Sequence, residues 1–373
     1  MAPVRVGFIG LSAKAGWASE THIQYLKDSP KYTITALANS SVQAAQDAIK
    51  TYHLPASTKA YGSPEDLAAD PNVDLVVCSV RVDKHYDTIK PSVLAGKDCF
   101  VEWPLGKNLE QAEELTALAN KKGIKTVIGL QGRRSPVVDK VKELIAEGRI
   151  GKVLSTTLHI SVGFFGDTTP ESQKYLSLRE YGGNLVTIIF GHMIDSMTAT
   201  LGELQSFRST LDTQRPEMKV VGKDGKVTET FTKTTHDQIA LQGHFTSGAL
   251  LSLYMRGGPI FKGEPALAWH IHGQTGEIKV SQSGPFLSME TPDLKVEVHD
   301  FETDRLEVID WRSGVKDAVK DLQNPAQNVG RLYEAFADGN WEGYKDWQHA
   351  LLRHKLIDEV FKSAEEGREG HYL

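Results

Sequence analysis

The sequence predicts an α/β protein in which a doubly wound parallel sheet is followed by an α+β domain with a large, mostly antiparallel open sheet. Over residues 1–132, short runs rich in β-branched residues alternate with helical patterns, which is typical of βαβ units and a parallel sheet. Over residues 133–373, long stretches alternate apolar with polar residues and are separated by turns that contain Gly or Pro, which is typical of hairpins. We therefore predict one domain at residues 1–132 and a second at residues 133–373.

In the first domain, apolar β-branched runs predict the strands, and apolar positions at helical spacing predict the helices between them. The predicted strands are Val4–Ile9, Thr33–Ala38, Leu75–Val80, Asp98–Glu102 and Thr126–Leu130. The predicted helices are His22–Lys27, Val42–Tyr52, His85–Leu94 and Leu109–Lys122. Pro91 lies inside one of these helices, and we expect a break or an early first turn there because proline lacks a backbone donor.

The second domain is predicted to contain both hairpins and helices. Its predicted strands are Leu154–Ser161, Thr228–Thr234, Gln238–Arg256, Ala268–His272 and Ile278–Ser281. Its predicted helices are Val137–Ala146, Leu185–Leu201 and a last helix over residues 347–364. Apolar residues alternate along the open sheet, and such faces often pair, so we expect a homodimer or a higher oligomer.

Composition and charge favour a globular protein of the cytoplasm. The 373 residues are 40% hydrophobic and 24% charged, with a formal net charge of −6, so we expect no surface for nucleic acid. The apolar runs are too short to span a membrane, and no leader pattern is expected before Val4. Cys78 and Cys99 lie in apolar runs without metal-ligand spacing, which predicts reduced core thiols and no bound metal.

A loop with two glycines follows the first predicted strand and has the sequence Gly10-Leu11-Ser12-Ala13-Lys14-Ala15-Gly16-Trp17. Glycines at such a turn let the backbone approach a pyrophosphate, and the helix that follows stabilises its charge. Ser12 stands where the middle glycine is usual, and one extra residue precedes Gly16. The position of the loop predicts a nicotinamide dinucleotide site at Gly10, Leu11, Ser12, Gly16 and Trp17. The alternative is a structural turn without a ligand.

The second predicted strand ends in Ala38-Asn39-Ser40-Ser41, where a dinucleotide fold selects its cofactor. An Asp or Glu at this place would bind the ribose of NAD and repel the 2′-phosphate of NADP. Asn39 and Ser40 can donate hydrogen bonds without repelling a phosphate, and no Arg is present to favour NADP. The sequence is therefore compatible with either NAD or NADP as the cofactor.

Several segments resemble the Gfo/Idh/MocA family of glucose–fructose oxidoreductases and inositol dehydrogenases. They are the glycine loop, Glu102-Trp103-Pro104, residues 144–153, and Gly182-Gly183-Asn184 followed by His192 and Asp195. Within the family the chain is most similar to the branch of fungal galactose-regulon repressors, through Gly16-Trp17-Ala18, residues 100–103, residues 130–133 and Trp341-Glu342-Gly343. The resemblance covers essentially the whole chain. It implies a Rossmann domain that binds NAD(P), followed by a substrate domain.

The chain departs from the family at two positions that usually carry catalytic groups. Family dehydrogenases usually have a lysine in place of Trp103, and that lysine helps to polarise or deprotonate the substrate hydroxyl. The family also pairs an Asp with a His four residues later, and the residue four before His192 is Ile188. Neither tryptophan nor isoleucine exchanges a proton at neutral pH. His192 is the usual catalytic group that remains.

Three residues of the second domain are candidates for proton transfer. His192, oriented by Asp195 three residues later on the same helix, is predicted to act as a general acid–base toward the substrate. The alternative is a structural pair between the two side chains. Lys174 and Tyr175 precede the glycine pair at 182–183 and could restore a proton-transfer group, but an exposed pair on a helix or loop is the favoured alternative.

Further residues are expected around the cofactor or the substrate. Val80, His85 and Glu102 lie at or just after the ends of strands, where doubly wound folds bind ligands. Glu102 is expected to line the cofactor site, with a structural carboxylate as the alternative. For His85, a structural role is favoured over contact with the edge of the cofactor. Trp103 is expected to form a wall beside the nicotinamide or the substrate. Arg133 is expected to contact cofactor or substrate, with an interdomain salt bridge as an equal alternative.

Two functions follow from these observations. The first is an NAD(P)-dependent oxidoreductase acting on a carbohydrate-like substrate, that is, a sugar, a polyol or a related hydroxyl or carbonyl compound, with His192 exchanging the hydroxyl proton. The second is a non-catalytic, NAD(P)-binding transcriptional regulator of the galactose-repressor type, with a protein partner and access to the nucleus. The chain lacks long insertions that would form a dedicated partner surface, which favours the enzyme.

Overall fold

The fold is described by a computed structural model that covers residues 2–313, 315, 318–340 and 343–373. Trp341 and Glu342, which belong to one of the segments shared with the galactose-repressor branch, lie outside these residues. The chain divides into two compact units. The first unit comprises residues 1–134 and 316–354, and the second comprises residues 135–315 and 355–373.

The first unit is built on a parallel sheet. Its strands are β1 (Val4–Ile9), β2 (Tyr32–Ala38), β3 (Lys59–Tyr61), β4 (Leu75–Cys78), β5 (Asp98–Glu102) and β6 (Thr126–Gly129). Within the described residues these six strands have the order β3-β2-β1-β4-β5-β6, and all neighbours run parallel. The order changes direction between β1 and β4, and doubly wound folds bind ligands at the carboxyl ends of the strands at such a point. The predicted doubly wound parallel sheet is confirmed.

Helices connect the strands of this unit. They are α1 (Trp17–Glu20), α2 (His22–Leu26), α3 (Val42–Thr51), α4 (Pro64–Ala68), α5 (Val82–Leu94) and α6 (Leu109–Lys122). The side chains of Ser41, Ser63 and Asn108 cap α3, α4 and α6 by accepting a backbone N–H. The break expected at Pro91 is wrong, since α5 continues through this residue. Pro91 lies in the last turn, where its missing N–H removes a single hydrogen bond.

The second unit contains a large open sheet. Its helices are α7 (Pro136–Ala146) and α8 (Gly191–Leu201), and its strands are β7 (Val153–Ser161), β8 (Thr168–Pro170), β9 (Leu204–Asp212), β10 (Glu217–Val221), β11 (Val227–Thr232), β12 (Gln238–Phe245), β13 (Leu250–Arg256), β14 (Leu267–Gly273), β15 (Gly276–Gln282), β16 (Lys295–Asp300) and β17 (Arg305–Val308). In the part of the chain that the structure describes, eight strands pair in the order β17-β16-β15-β14-β7-β13-β12-β9. Neighbours run antiparallel except β7 and β13. The predicted mostly antiparallel sheet is confirmed.

The two faces of the large sheet differ in burial. Leu251, Leu253, Trp269 and Ile271 belong to the buried face and are at most 2% exposed. The residues between them on β13 and β14 are exposed or half-buried. The alternation that predicted these strands therefore corresponds to one core face and one open face.

Residues 318–340 and 343–354 pack on the first unit, although they are distant from it in sequence. They contain α9 (Ala326–Ala337) and the start of α10 (Trp347–Glu366). Val329, Leu332 and Tyr333 of α9 are buried in one hydrophobic cluster with Val6 and Phe8 of β1. The apolar face of α9 is therefore buried in the compact unit that contains the parallel sheet. The domain bounds of 1–132 and 133–373 along the sequence stay a prediction.

Candidate dinucleotide site and the retained histidine

Gly10 occupies the turn after β1 in a conformation that only glycine adopts without strain. Its φ angle is +97°, in the left-handed region. A Cβ atom at this position would lie 2.3 Å from the carbonyl oxygen of Ser79 and 2.6 Å from Cγ1 of Val80. The backbone of the loop therefore passes directly against the residues that follow β4, at the point where the strand order changes direction.

The rest of the glycine loop is stabilised by side-chain hydroxyl groups. The hydroxyl of Ser12 accepts the N–H of Lys14 at 3.1 Å, and the hydroxyl of Ser19 accepts the N–H of Gly16 at 2.9 Å. Tyr52 donates to the carbonyl oxygen of Ser12 at 2.6 Å. Gly16 has an extended φ of 170°, and a Cβ there would meet no atom within 4 Å. Ser12 thus organises the loop in place of a glycine, and the extra residue lies in the exposed stretch 14–16.

Asn39 joins the glycine loop to the end of the second strand. Its amide nitrogen donates to the carbonyl oxygen of Leu11 at 2.9 Å and to that of Ala44 at 3.2 Å. Ser40 is exposed, and the hydroxyl of Ser41 caps α3. The three residues between β2 and α3 carry no carboxylate. The end of β2 therefore contains no group that would repel a 2′-phosphate.

The ring of His85 is buried in α5 between two carbonyl oxygens. Nδ1 lies 2.7 Å from the carbonyl oxygen of Pro104, and Nε2 lies 3.0 Å from that of Val80. Burial lowers the pKa of His85, so the ring is neutral near pH 7 and donates to one carbonyl at a time. His85 thus bridges the segments that follow β4 and β5, which is the geometry of a structural role.

Glu102, at the end of β5, forms a buried chain of hydrogen bonds with two residues from distant parts of the sequence. Oε1 of Glu102 lies 2.8 Å from Nε2 of His22, and Nδ1 of His22 lies 2.6 Å from the hydroxyl of Tyr333. His22 and Tyr333 are completely buried, and Glu102 is 7% exposed. A Cβ at Gly129 would lie 2.7 Å from Oε2 of Glu102, so a glycine on β6 leaves room for the carboxylate. These contacts hold Glu102 in place at the carboxyl edge of the sheet.

Trp103 follows β5 and is buried against His354. The centroids of the two rings are 4.9 Å apart, and both residues are less than 5% exposed. Burial lowers the pKa of His354 to about 3, so the imidazole is neutral at physiological pH. A lysine at the position of Trp103 would be desolvated beside this ring. The indole therefore occupies a dry site that suits an apolar wall.

The polar groups near this edge of the sheet fit a nicotinamide dinucleotide. Trp17 Nε1, Gln131 Oε1 and His354 Nε2 are buried without a hydrogen-bond partner among the residues described. Trp17 lies in the segment after β1, Gln131 follows β6, and His354 packs on the residue after β5. A buried polar atom costs about 1–3 kcal/mol unless water or a ligand pairs with it. A dinucleotide has donors and acceptors for such atoms, and Gly10 lets the backbone come close to its pyrophosphate.

Arg133 has a partner inside the first unit. Its Nη1 lies 3.1 Å from Nε2 of His349, which belongs to the same unit. A contact of Arg133 with cofactor or substrate stays a prediction.

Acidification is expected to destabilise the first unit through His354. The folded state keeps this imidazole neutral down to about pH 3, whereas the unfolded chain binds a proton below its usual pKa of 6.5. Stability is therefore fully present above about pH 6.5 and falls below it, by up to about 1.4 kcal/mol per pH unit. Urea unfolding at about pH 7 and about pH 5 measures this loss. The variant His354→Phe should lose less stability on acidification, whereas His299→Phe, at a half-buried histidine on β16, should lose as much as the parent. Equal losses in the parent and in His354→Phe would contradict the assignment.

His192 lies near the start of α8 in the second unit and is half-buried. The helix is preceded by a π-helical segment, Leu185–Phe190, which Asn184 caps by accepting two backbone N–H groups. Asp195 is 1% exposed, and Ser196 donates to the carbonyl oxygen of His192 at 3.2 Å. Ile188, at the position of the family's carboxylate, belongs to the π-helical segment. The residues around His192, among them Met193 and Phe286, leave no space for a water molecule between them.

Lys174 and Tyr175 lie in a 3₁₀ segment over residues 171–177. Nζ of Lys174 is 2.6 Å and 2.7 Å from the two carboxylate oxygens of Glu229, and it lies 4.9 Å from the centroid of the Phe231 ring. Tyr175 is half-buried. The lysine, half-buried like Tyr175, therefore forms an ion pair with Glu229 in the second unit. A role for either residue in proton transfer stays a prediction.

Three residues that no sequence pattern singled out, His22, Tyr333 and His354, lie around Glu102 and Trp103 in the structure. His22 begins a short helix whose other inward residues are apolar, and a histidine on such a face was an available signal. Tyr333 and His354 lie in a segment whose position on the first unit has no local sequence signal. Among the described residues, no group of three or more His, Cys, Asp or Glu side chains is placed to hold a metal ion. In the same residues, no helix is long and apolar enough to cross a membrane.

Comparisons with known proteins agree with this geometry. Residues 4–130 match the oxidoreductase family with an NAD-binding Rossmann fold, and residues 136–282 match the C-terminal domain of Gal80p. The chain is 29% identical to the galactose/lactose metabolism regulatory protein GAL80 of Saccharomyces cerevisiae, over 97% of this chain and 93% of the relative. It is 30% identical to dehydrogenase aclE of Aspergillus oryzae, over 98% of this chain and 97% of the relative.

Solved structures show the same architecture. A super-repressor mutant of Gal80p from Saccharomyces cerevisiae superposes with a TM-score of 0.88 at 28% identity, over 99% of this chain and 98% of the other. Levoglucosan dehydrogenase in complex with NADH and L-sorbose superposes with a TM-score of 0.80 at 18% identity, over 99% of both chains, and shares the fold. The chain belongs to the Gfo/Idh/MocA oxidoreductase family, with a second domain of the Gal80p C-terminal type.

Proposed function

We propose that the chain is an NAD(P)-dependent oxidoreductase that interconverts a small hydroxyl compound and the corresponding carbonyl compound without the family's usual lysine. The observation that carries the proposal is Gly10, whose backbone approaches the end of β4 so closely that no Cβ fits. The buried polar atoms of Trp17, Gln131 and His354 support a bound dinucleotide. The retained His192 supports turnover, and so does the similarity to a dehydrogenase over nearly the full length of both chains.

In this proposal the first unit holds the cofactor, and His192 is the residue that exchanges the proton of the substrate. Gly10, Leu11, Ser12, Gly16 and Trp17 bind the pyrophosphate side, while Asn39 and Ser40 bind the adenosine ribose of NAD or NADP.

Val80, His85 and Glu102 form the wall toward the nicotinamide, and Trp103 excludes water from it. A bound nicotinamide would supply the hydride acceptor for oxidation of the alcohol. His192 takes the hydroxyl proton, with Asp195 on the same helix.

The variant His192→Ala tests the enzyme proposal. We expect its kcat for oxidation of a hydroxyl compound to fall about 10²–10⁴-fold, because no general base takes the hydroxyl proton. The measurement is NAD(P)H absorbance with a panel of sugars, polyols and cyclic alcohols. His299→Ala, at a histidine paired with Asp304 on the exposed side of β16, should keep the activity of the parent. No turnover with any compound, or equal rates for both variants, would sink the proposal.

A non-catalytic regulator is the second candidate. The observation that favours it is the pair of apolar residues, Trp103 and Ile188, at the positions of the family's lysine and carboxylate. The similarity to GAL80 over 97% of the chain also supports it. A regulator would bind NAD(P) and a protein partner without oxidising any alcohol. Affinity capture that recovers no partner, with or without NAD(P), would argue against this candidate.

We also propose that the chain forms a homodimer through the open face of the large sheet. Leu250, Tyr254, Leu306 and Val308 lie on this face by strand register, and each is at least 40% exposed. Such apolar area on an open sheet is suited to a second copy of the same surface. Light scattering at micromolar concentration should give twice the mass of the chain, and Tyr254→Lys should shift the mass toward one chain. A monomeric parent would disprove the dimer.

A further inference from the structure

We infer that the chain prefers NAD(H) over NADP(H), and that Asn39 sets this preference with the oxygen of its side-chain amide. This inference rests on the proposed function and narrows its cofactor. Asn39 directly follows β2, and in a doubly wound fold a residue at this place faces the adenosine ribose. NAD presents a 2′-hydroxyl group there, whereas NADP presents a 2′-phosphate.

The amide group of Asn39 has a fixed orientation. Its nitrogen donates to the carbonyl oxygen of Leu11 at 2.9 Å and to that of Ala44 at 3.2 Å. A carbonyl oxygen only accepts hydrogen bonds, so a flipped amide would set its own oxygen against two others. The two bonds use both hydrogens of the amide nitrogen. Asn39 therefore has no side-chain donor left for a ligand.

The oxygen of the same amide group remains available to a ligand. It accepts no hydrogen bond from the residues that the structure describes, and the side chain is half-buried. A ribose hydroxyl can donate to this oxygen, as it donates to the carboxylate that is usual at this place in NAD-binding folds. A phosphate monoester at about pH 8 carries almost no proton that it could donate. The amide oxygen therefore acts as a neutral replacement for the usual carboxylate.

The neighbouring residues offer a 2′-phosphate little in exchange for its water. Residues 39–44 include neither Lys nor Arg, and the hydroxyl of Ser41 already accepts the N–H of Ala44 at 3.1 Å. The first residues of α3 are exposed, so their N–H groups exchange one partner for another with a small net gain. Lys14 of the glycine loop is exposed as well, and an exposed ion pair contributes little. Binding of NADP thus loses the ribose bond to Asn39 without an equal gain.

The experiment compares the affinities of the full chain for NADH and for NADPH. Both are measured by fluorescence titration at about pH 8, without any alcohol, so that the 2′-phosphate is fully charged. We expect NADH to bind at least about tenfold more tightly than NADPH. Asn39→Ala should weaken NADH binding and reduce the difference between the two cofactors to less than about threefold, because the acceptor is lost.

Tyr52→Phe is the matched control for a general loosening of the loop. It removes the hydroxyl that donates to the carbonyl oxygen of Ser12 and leaves the amide of Asn39 in place. Both affinities should therefore fall by the same factor, so that the preference for NADH is unchanged. A loss of the preference in Tyr52→Phe as large as that in Asn39→Ala would overturn the role of Asn39.

Asn39→Asp tests the orientation of the amide. The aspartate has the same shape, but one of its oxygens replaces the donor that faces the carbonyl oxygens of Leu11 and Ala44. The variant should therefore unfold at a lower urea concentration than the parent. An unchanged unfolding midpoint would show that the two donors are not engaged, and it would overturn the inference.

The outcomes separate the inference from the proposed function. NADPH binding as tight as NADH binding, or a preference for NADH that persists in Asn39→Ala, would overturn the inference. The comparison in the parent needs no variant, so poor folding of a variant leaves the test intact. NADH binding without turnover of any alcohol would contradict the enzyme and leave the inference in place, whereas binding of neither dinucleotide would overturn both.

Discussion

Replacing Gly10 by alanine is expected to destabilise the first unit by about 3 kcal/mol or more and to weaken NAD(P)H binding about tenfold or more. The φ angle of +97° strains any residue with a Cβ. The added methyl group would also lie 2.3 Å from the backbone carbonyl oxygen of Ser79, and a backbone atom cannot rotate away as a side chain can. The loop must therefore move from the end of β4. Urea unfolding measures the loss of stability, and NAD(P)H fluorescence measures the loss of affinity.

Gly16→Ala is the matched control in the same loop. The φ angle of Gly16 is extended and a Cβ there meets no atom within 4 Å, so the unfolding free energy should change by less than about 1 kcal/mol. A Gly10→Ala variant as stable as Gly16→Ala would show that the loop does not lie against β4 in the way described. Normal stability without NAD(P)H binding in Gly16→Ala would support the proposed contact between Gly16 and the cofactor's pyrophosphate.

Replacing His22 by leucine is expected to cost about 3 kcal/mol or more of unfolding free energy. The substitution leaves the carboxylate of Glu102 and the hydroxyl of Tyr333 buried without the imidazole that bridges them. A buried group that loses its partner costs more than the bond contributed, because the group cannot recover water. Cofactor affinity should fall as well, since Glu102 would turn away from its place at the carboxyl edge of the sheet. Urea unfolding and NAD(P)H titration measure the two effects.

Two further variants test whether the lost hydrogen bonds of His22 cause the loss of stability in His22→Leu. Tyr333→Phe removes one hydroxyl but keeps the ring stacked on Tyr25, and should cost about 1 kcal/mol. The double variant His22→Leu/Glu102→Leu should lose less unfolding free energy than the two single variants lose together, because it leaves no buried carboxylate unpaired. Additive losses would mean that His22 and Glu102 act independently and that the hydrogen-bonded chain contributes nothing.

Much of the fold and part of the site follow from local sequence patterns. Interactions between near neighbours produce the strand that ends at Ile9, the turn that starts at Gly10 and the alternation along β13 and β14. The sequence predicts the position of each of these features correctly. The strand β3 was missed because it has three residues and no buried one, so it carries no apolar pattern. The stretch 238–256 was predicted as one strand, but β12 and β13 are separated by a turn at residues 246–249.

Local patterns identify the elements and the glycine loop of this protein, because backbone conformation and amphipathic periodicity depend on residues a few positions apart. The tertiary structure decides which distant side chains meet. Glu102 is held by His22 and Tyr333, Trp103 packs on His354, and Lys174 pairs with Glu229, although 55 to 311 positions separate the partners along the chain. Such contacts depend on how α9 and α10 pack against the first sheet and on how strands pair in the second. That packing decides the chemistry of Glu102, Trp103 and Lys174. Burial and neighbouring groups determine whether a side chain is charged and whether it can still bind a ligand or solvent.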